Sequence, residues 1–175
     1  MMCRNFNKVI AVEPNPETVA TLRRRARETG NIEILEVALS NTSGPALLFN
    51  QKEKFCFNGF NNKNGSDSLL SLVIHKSARD RSNDRVLQNR PSIQVLQRRF
   101  DELNNGTVDL VKIDVEGAEF YVLEGMRDSL KERLIKRIMI ELHNRDERVR
   151  LESIFIGYGY TIEWVDPDHL FATSL

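Results

Sequence analysis

The sequence predicts an α/β fold with a mostly parallel sheet and an antiparallel C-terminal end. Three observations carry this. An apolar run, an amphipathic helix pattern and an alternating segment follow one another between residues 8 and 39. Strand, helix and strand recur in that order between residues 108 and 142. Two short apolar segments flank Asp166-Pro167-Asp168 further on. Strand–helix–strand order implies parallel strands joined by a right-handed crossover.

Lys8 to Val12 (KVIAV) is β-branched and reads as a buried strand that ends sharply in Glu13-Pro14-Asn15-Pro16. Asn15 suits the N-cap of a helix and Pro16 its first position. Val19, Leu22 and Ala26 form its apolar stripe, and Gly30 is a fitting stop. Arg23-Arg24-Arg25 falls mostly off that stripe and reads as a solvated face rather than a phosphate site. Ile32 to Leu39 alternates and reads as one strand, and Ala46 to Asn50 as a short strand after the Ser40–Gly44 turn.

Residues 51–92 differ in kind, being rich in Asn, Ser, Lys, Arg and Gly. Segments of this length without elements are uncommon inside a domain. This one reads as an insertion or mobile loop within a single domain of residues 1–175, either a lid over a substrate pocket or a poorly ordered loop. Strand character returns at Ser92 to Val95, then a short turn or helix at Phe100 to Leu103. Val108 to Asp114 reads as a strand, Ala118 to Lys131 as a helix, Ile135 to Leu142 as a strand and Arg145 to Ile156 as a helix. Tyr160 to Val165 and Leu170 to Thr173 finish as a hairpin.

Charge and composition exclude several classes. Twenty-five basic residues balance 25 acidic ones, which argues against a nucleic-acid binder. The 175 residues contain no apolar run of membrane-spanning length and no signal-peptide pattern. Two cysteines, Cys3 and Cys56, match no metal spacing and no disulfide framework, so a reducing cytoplasm is the expectation.

In open α/β sheets ligands bind beyond the carboxyl ends of the strands. That rule selects Glu13-Pro14-Asn15, Ala38-Leu39-Ser40, Asp114-Val115-Glu116-Gly117 and Glu141-Leu142-His143. An acid in the position of Glu13 can accept two hydrogen bonds from a ribose diol, although a helix-start acid has a dipole reason of its own. Lys112, Asp114 and Glu116 have the spacing of one strand face. Buried charges need partners, so Lys112 is expected to pair with a neighbour such as Glu141, with Asp114 and Glu116 at a pocket rim; a plain ion-pair cluster is the alternative. Gly117 permits close backbone approach. His143 can serve as a general base or be structural. His75 and His169 have no expected role, and no metal cluster stands out.

Together the segments VIAVEPNPETVATLRR (9 to 24), EVALSNTSG (36 to 44), DLVKIDVEGAEFYVLEGM (109 to 126), IMIELH (138 to 143) and GYGYTIEWVDPDHLFAT (157 to 173) resemble the FkbM family of S-adenosylmethionine (SAM)-dependent methyltransferases. The resemblance implies a class I methyltransferase, Rossmann-like fold: a seven-stranded, mostly parallel sheet whose last strand is antiparallel. It implies SAM as the cofactor and O-methylation of a hydroxyl on a sugar or secondary-metabolite-type acceptor, that is, a small-molecule or glycan partner. By position, Glu13 with Asn15 is expected to hold the ribose, Ala38, Leu39 and Ser40 to border the adenine, and Asp114 to lie on the methionine or acceptor side. Glu116 and His143 are the candidate bases. The family opens with a strand and a D-x-G-A-N-x-G turn that these residues lack. The expectation is therefore a truncated N-terminus, a closed-up sheet, or a partner chain in the place of the missing strand. A truncated, inactive binding or scaffold protein is the second reading, and an NAD-dependent oxidoreductase, equally without its glycine fingerprint, the third.

Overall fold

The computed structural model describes residues 6–50, 70–73, 92–104 and 106–175. Cys3, Cys56, His75 and most of the 51–92 segment lie outside them. The chain divides into two compact units, Met1–Ala38 with Gly44–Gln97, and Leu39–Ser43 with Arg98–Leu175.

The first unit contains the expected β-α-β unit. Strand β1 (Val9–Val12) and strand β2 (Ile32–Leu35) pair in parallel, Val9 opposite Ile32 and Val12 opposite Leu35, and helix α1 (Pro16–Thr29) crosses between them. The helix begins where its sequence says it should. Asn15 Oδ1 accepts the Glu17 amide at 3.0 Å, Pro16 follows, and Gly30 ends the helix at φ 74°, donating its amide to the Ala26 carbonyl at 2.9 Å. A side chain with Cβ is strained at that φ, which is why glycine stops the helix cleanly. Val19 is buried, with Leu22 and Ala26 half-buried along the same stripe.

The expected strand over Ile32 to Leu39 is instead two strands in different sheets. Pairing with β1 stops at Leu35, and Ala38–Leu39 forms β3 in a sheet ordered β3-β6-β4-β5. Strand β4 (Gly44–Asn50) lies antiparallel to both β5 (Leu70–Val73) and β6 (Ser92–Arg98). Alternation cannot reveal such a break, because both halves keep the same period. Ala46, Leu48 and Val95 form a small core under β4 and β6.

The second unit holds the larger core. Strands β7 (Val111–Ile113), β8 (Arg137–Glu141), β9 (Tyr160–Trp164) and β10 (His169–Ser174) form a sheet ordered β7-β8-β10-β9. β7 and β8 are parallel, with Lys112 opposite Met139, whereas β10 is antiparallel to both β8 and β9. Ile138 and Ile140 of β8 and Leu170 and Ala172 of β10 face the core at 0% exposure. Burial on this scale contributes about 1.5–3 kcal/mol per large apolar side chain. A 3-10 turn at Arg145–Glu147, capped by Asn144, leads into the helix Arg148–Gly157, which adds Leu151 and Phe155. Phe155 meets Tyr160 edge-on at 6.0 Å between ring centres.

The helix expected over Ala118 to Lys131 breaks at Met126 into Glu119–Gly125 and Arg127–Lys131. The second piece has its own cap, brought from elsewhere in the chain. Asp101 accepts the amides of Asp128 at 3.0 Å and Ser129 at 2.9 Å, and the Ser129 hydroxyl at 2.7 Å. Such a cap compensates for the bonds lost at the break.

Among the described residues β1 hydrogen-bonds β2 in the first unit, and β7 hydrogen-bonds β8 in the second. The fold is a mixed α/β fold. No described helix is long and apolar enough to cross a membrane.

Candidate functional site

The second unit gathers its chemistry beyond the carboxyl ends of β7 and β8. β7 stops at Ile113, so Asp114 and Glu116 lie past the strand rather than along its face. Lys112 turns to Asp114 itself, Nζ to Oδ2 at 2.6 Å, and not to Glu141 as expected. The chain then reverses through two left-handed residues, Glu116 (φ 51°) and Gly117 (φ 99°). A Cβ on Gly117 would meet no atom of the chain within 4 Å, and φ 99° is the observed reason for glycine here.

That reversal aims Glu116 back at His143, which follows β8. Glu116 Oε2 is 3.2 Å from Nε2 of the ring. On the other side Glu119 Oε1 is 2.7 Å from Nδ1, and the same oxygen accepts the Gly117 amide at 2.8 Å. The Glu119 side chain is only 3% exposed. The ring therefore lies between two carboxylates. The hydrogen bond to Glu119 pushes the His143 pKa up to about 9 against the opposing effect of burial, with the charges of Glu119, Glu116 and Glu141 adding to the rise. Burial raises the Glu116 carboxyl above its usual range; His143 opposes the rise, and Asp114, Glu141 and Glu119 reinforce it.

Glu141, at the end of β8, faces His169 Nε2 at 3.4 Å, and His169 Nδ1 contacts Asp166 at 2.9 Å. Asp114, Glu141 and His143 each offer a ligand atom, all within 4.8 Å of one another, and are the described residues that could hold a metal ion. Their sequence spacing follows no metal-ligand motif; the parallel β7–β8 pairing brings them together. Each already has a protein partner: Lys112, His169, and the carboxylates of Glu116 and Glu119 respectively.

The remaining predicted residues belong to other segments of the chain. In the first unit Glu13 ends β1, half-buried, and its Oε1 accepts the Asn15 amide at 2.8 Å. Burial raises its pKa, partly offset by that bond. The Asn15 side chain is engaged as the helix cap, leaving Glu13 as the carboxylate of this turn. Ala38 is buried and Leu39 half-buried in β3, and Ser40 is fully buried, its amide donating to the Arg98 carbonyl at 2.9 Å. The structure thus brings Asp114, Glu116 and His143 together, and Glu13 with Asn15. Glu119 escaped sequence reasoning. Its one signal is an acid among the apolar residues Ala118, Phe120, Val122 and Leu123, and its partner lies 24 residues on.

Parallel strands with acids at their carboxyl ends and a β-α-β unit are consistent with a methyltransferase, and comparison with known proteins specifies which kind. Residues 1–171 match the methyltransferase FkbM domain, and the chain belongs to that family. Among solved structures it is similar to methyltransferase FkbM from Methylobacillus flagellatus KT, with a TM-score of 0.57 and 15% identity, a likeness of fold. The alignment covers 96% of this chain and 36% of that one, so the chain spans well under half of that protein's length. No curated protein matches.

Proposed function

We propose that the chain is a SAM-dependent methyltransferase domain acting on a hydroxyl oxygen of a sugar or secondary-metabolite-type acceptor. The match of residues 1–171 to the FkbM domain carries the reading. SAM, when bound, supplies a methyl group on a positively charged sulfur, which an oxygen takes by in-line displacement while the broken bond's electron pair stays on sulfur. The residues suit such a ligand. Glu13 follows a parallel strand, and the Asn15 amide fixes its carboxylate. A carboxylate has about four acceptor sites, so one amide leaves capacity for a ribose diol. Of Ala38, Leu39 and Ser40, the segment assigned to the adenine, half-buried Leu39 is the residue with apolar side-chain surface to offer. Asp114 serves the methionine or acceptor side. Glu116 and His143 are the groups available to take the acceptor's proton, a role that requires reach and a suitable charge state.

Isothermal titration with SAM tests this. Measurable heat that is lost in Glu13→Ala is the expected outcome. An absence of heat at high micromolar SAM would sink the enzyme reading and favour a binding or scaffold role for this chain.

A further inference from the structure

Two carboxylates and one imidazole meet beyond the carboxyl ends of β7 and β8. The donor atoms of Asp114, Glu141 and His143 lie within 4.8 Å of one another. Ligands bound at about 2.0–2.2 Å on opposite sides of an ion are about 4–4.4 Å apart, so small side-chain rotations close the group on one centre. The parallel register sets this convergence. Ile113 pairs with Ile140, so the residue just past β7 and the end of β8 fall side by side. All three side chains are partly open to solvent, which gives an ion a way in.

The imidazole sets this group apart from a collection of acids. His143 Nδ1 is held at 2.7 Å by Glu119, a nearly buried carboxylate that also accepts the Gly117 amide. A metal-bound imidazole is typically oriented in this way, with its second nitrogen on a carboxylate. Nε2 is then the nitrogen left for an ion. Glu116, half-buried and 3.2 Å from Nε2, can turn aside or add a fourth ligand. The two carboxylate ligands are oriented as well. Lys112 holds Asp114 through Oδ2 at 2.6 Å, and His169 faces Glu141 Oε2 at 3.4 Å. A carboxylate has about four acceptor sites, so one such contact leaves room for an ion.

We propose that Asp114, Glu141 and His143 form a binding site for a divalent first-row transition ion, held by one imidazole nitrogen and two carboxylate oxygens. The mixed donor set selects the ion. Magnesium and calcium take oxygen ligands, whereas imidazole suits transition ions. Three protein ligands leave positions for water or an incoming oxygen, the pattern of catalytic rather than structural metal sites. The site rests on these contacts and not on the methyl-transfer reading.

The test is titration of the whole chain with manganese(II), followed by electron paramagnetic resonance. The expected result is a bound ion whose spin-echo modulation reports a directly coordinated imidazole nitrogen, with equimolar magnesium leaving it in place. Glu119→Gln, which touches the ring and not the ion, should weaken binding by about tenfold and keep the modulation. Asp114→Asn, Glu141→Gln and His143→Gln should each weaken binding further, and H143Q should also remove the modulation. No bound manganese at high micromolar concentration, or affinity indifferent to the three ligand variants, overturns the proposal. So does modulation that survives in H143Q, since another histidine would then hold the ion. Should the variants fail to fold, the unaltered chain decides. Nitrogen-15 NMR with zinc should move one ring nitrogen of His143 to the metal-bound range, and an unchanged ring overturns the proposal. A chain that gives no heat with SAM removes the methyl-transfer reading, and the manganese titration still decides the site.

Discussion

Gly125 runs so close to Ser40 that a methyl group on its Cα would sit 1.9 Å from the Ser40 carbonyl oxygen. The neighbouring atom is backbone, which cannot rotate away. Gly125→Ala should therefore destabilise the fold by about 1–3 kcal/mol or more, the cost of overpacking a tight contact. Urea unfolding of the variant measures it. Stability unchanged within a few tenths of a kcal/mol would mean that the two segments separate easily.

The Tyr160 hydroxyl donates to the buried Ile135 carbonyl at 2.8 Å. Tyr160→Phe keeps the ring against Phe155 and removes only the donor. The stranded carbonyl should cost about 1–3 kcal/mol. Thermal unfolding by circular dichroism checks this, and an unchanged melting point would show that water replaces the hydroxyl.

His143 gives the fold a pH dependence of known sign. Its pKa is about 9 in the folded chain against 6.5 for an ordinary histidine, so the folded state holds the proton more tightly. The resulting stability is fully present below pH 6.5 and is lost as pH rises through about 9. Urea midpoints at several pH values should decline across that window, and His143→Gln should flatten the decline. A flat profile in the unaltered chain would contradict the carboxylate clamp.

Glu13 is the residue on which the proposed ribose contact depends. Glu13→Gln should weaken SAM binding by about 1.5–3 kcal/mol, roughly ten- to hundredfold in Kd, since hydrogen bonds to a charged acceptor are the stronger kind. The Asn15 amide still has a carbonyl to bond, so circular dichroism should report an intact α1. Equal affinity in the variant would put the ribose elsewhere.

Much of the fold is legible in the residues because local rules decide it. Asn15-Pro16 and Gly30 bound α1, the alternation of β8 and β10 selects Ile138, Ile140, Leu170 and Ala172 for the core, and the Asp166 turn closes a hairpin. The misreadings have long-range causes. The break between Leu35 and Ala38 depends on which strand each half pairs with, and the break at Met126 on Asp101. The site divides in the same way. Strand-end position finds Asp114, Glu116 and His143, but Lys112 chooses its partner by a distance no pattern encodes. Glu119 looks like any helix-start acid until folding brings His143 against it.

β10 lies between β8 and β9 although it follows both in sequence. Among the described residues β9 therefore joins its sheet only through β10, and whatever frees β10 from β8 detaches β9 with it. Loss should be concerted, with the amides of β9 and β10 surrendering protection from hydrogen exchange together while β7 and β8 follow their own course.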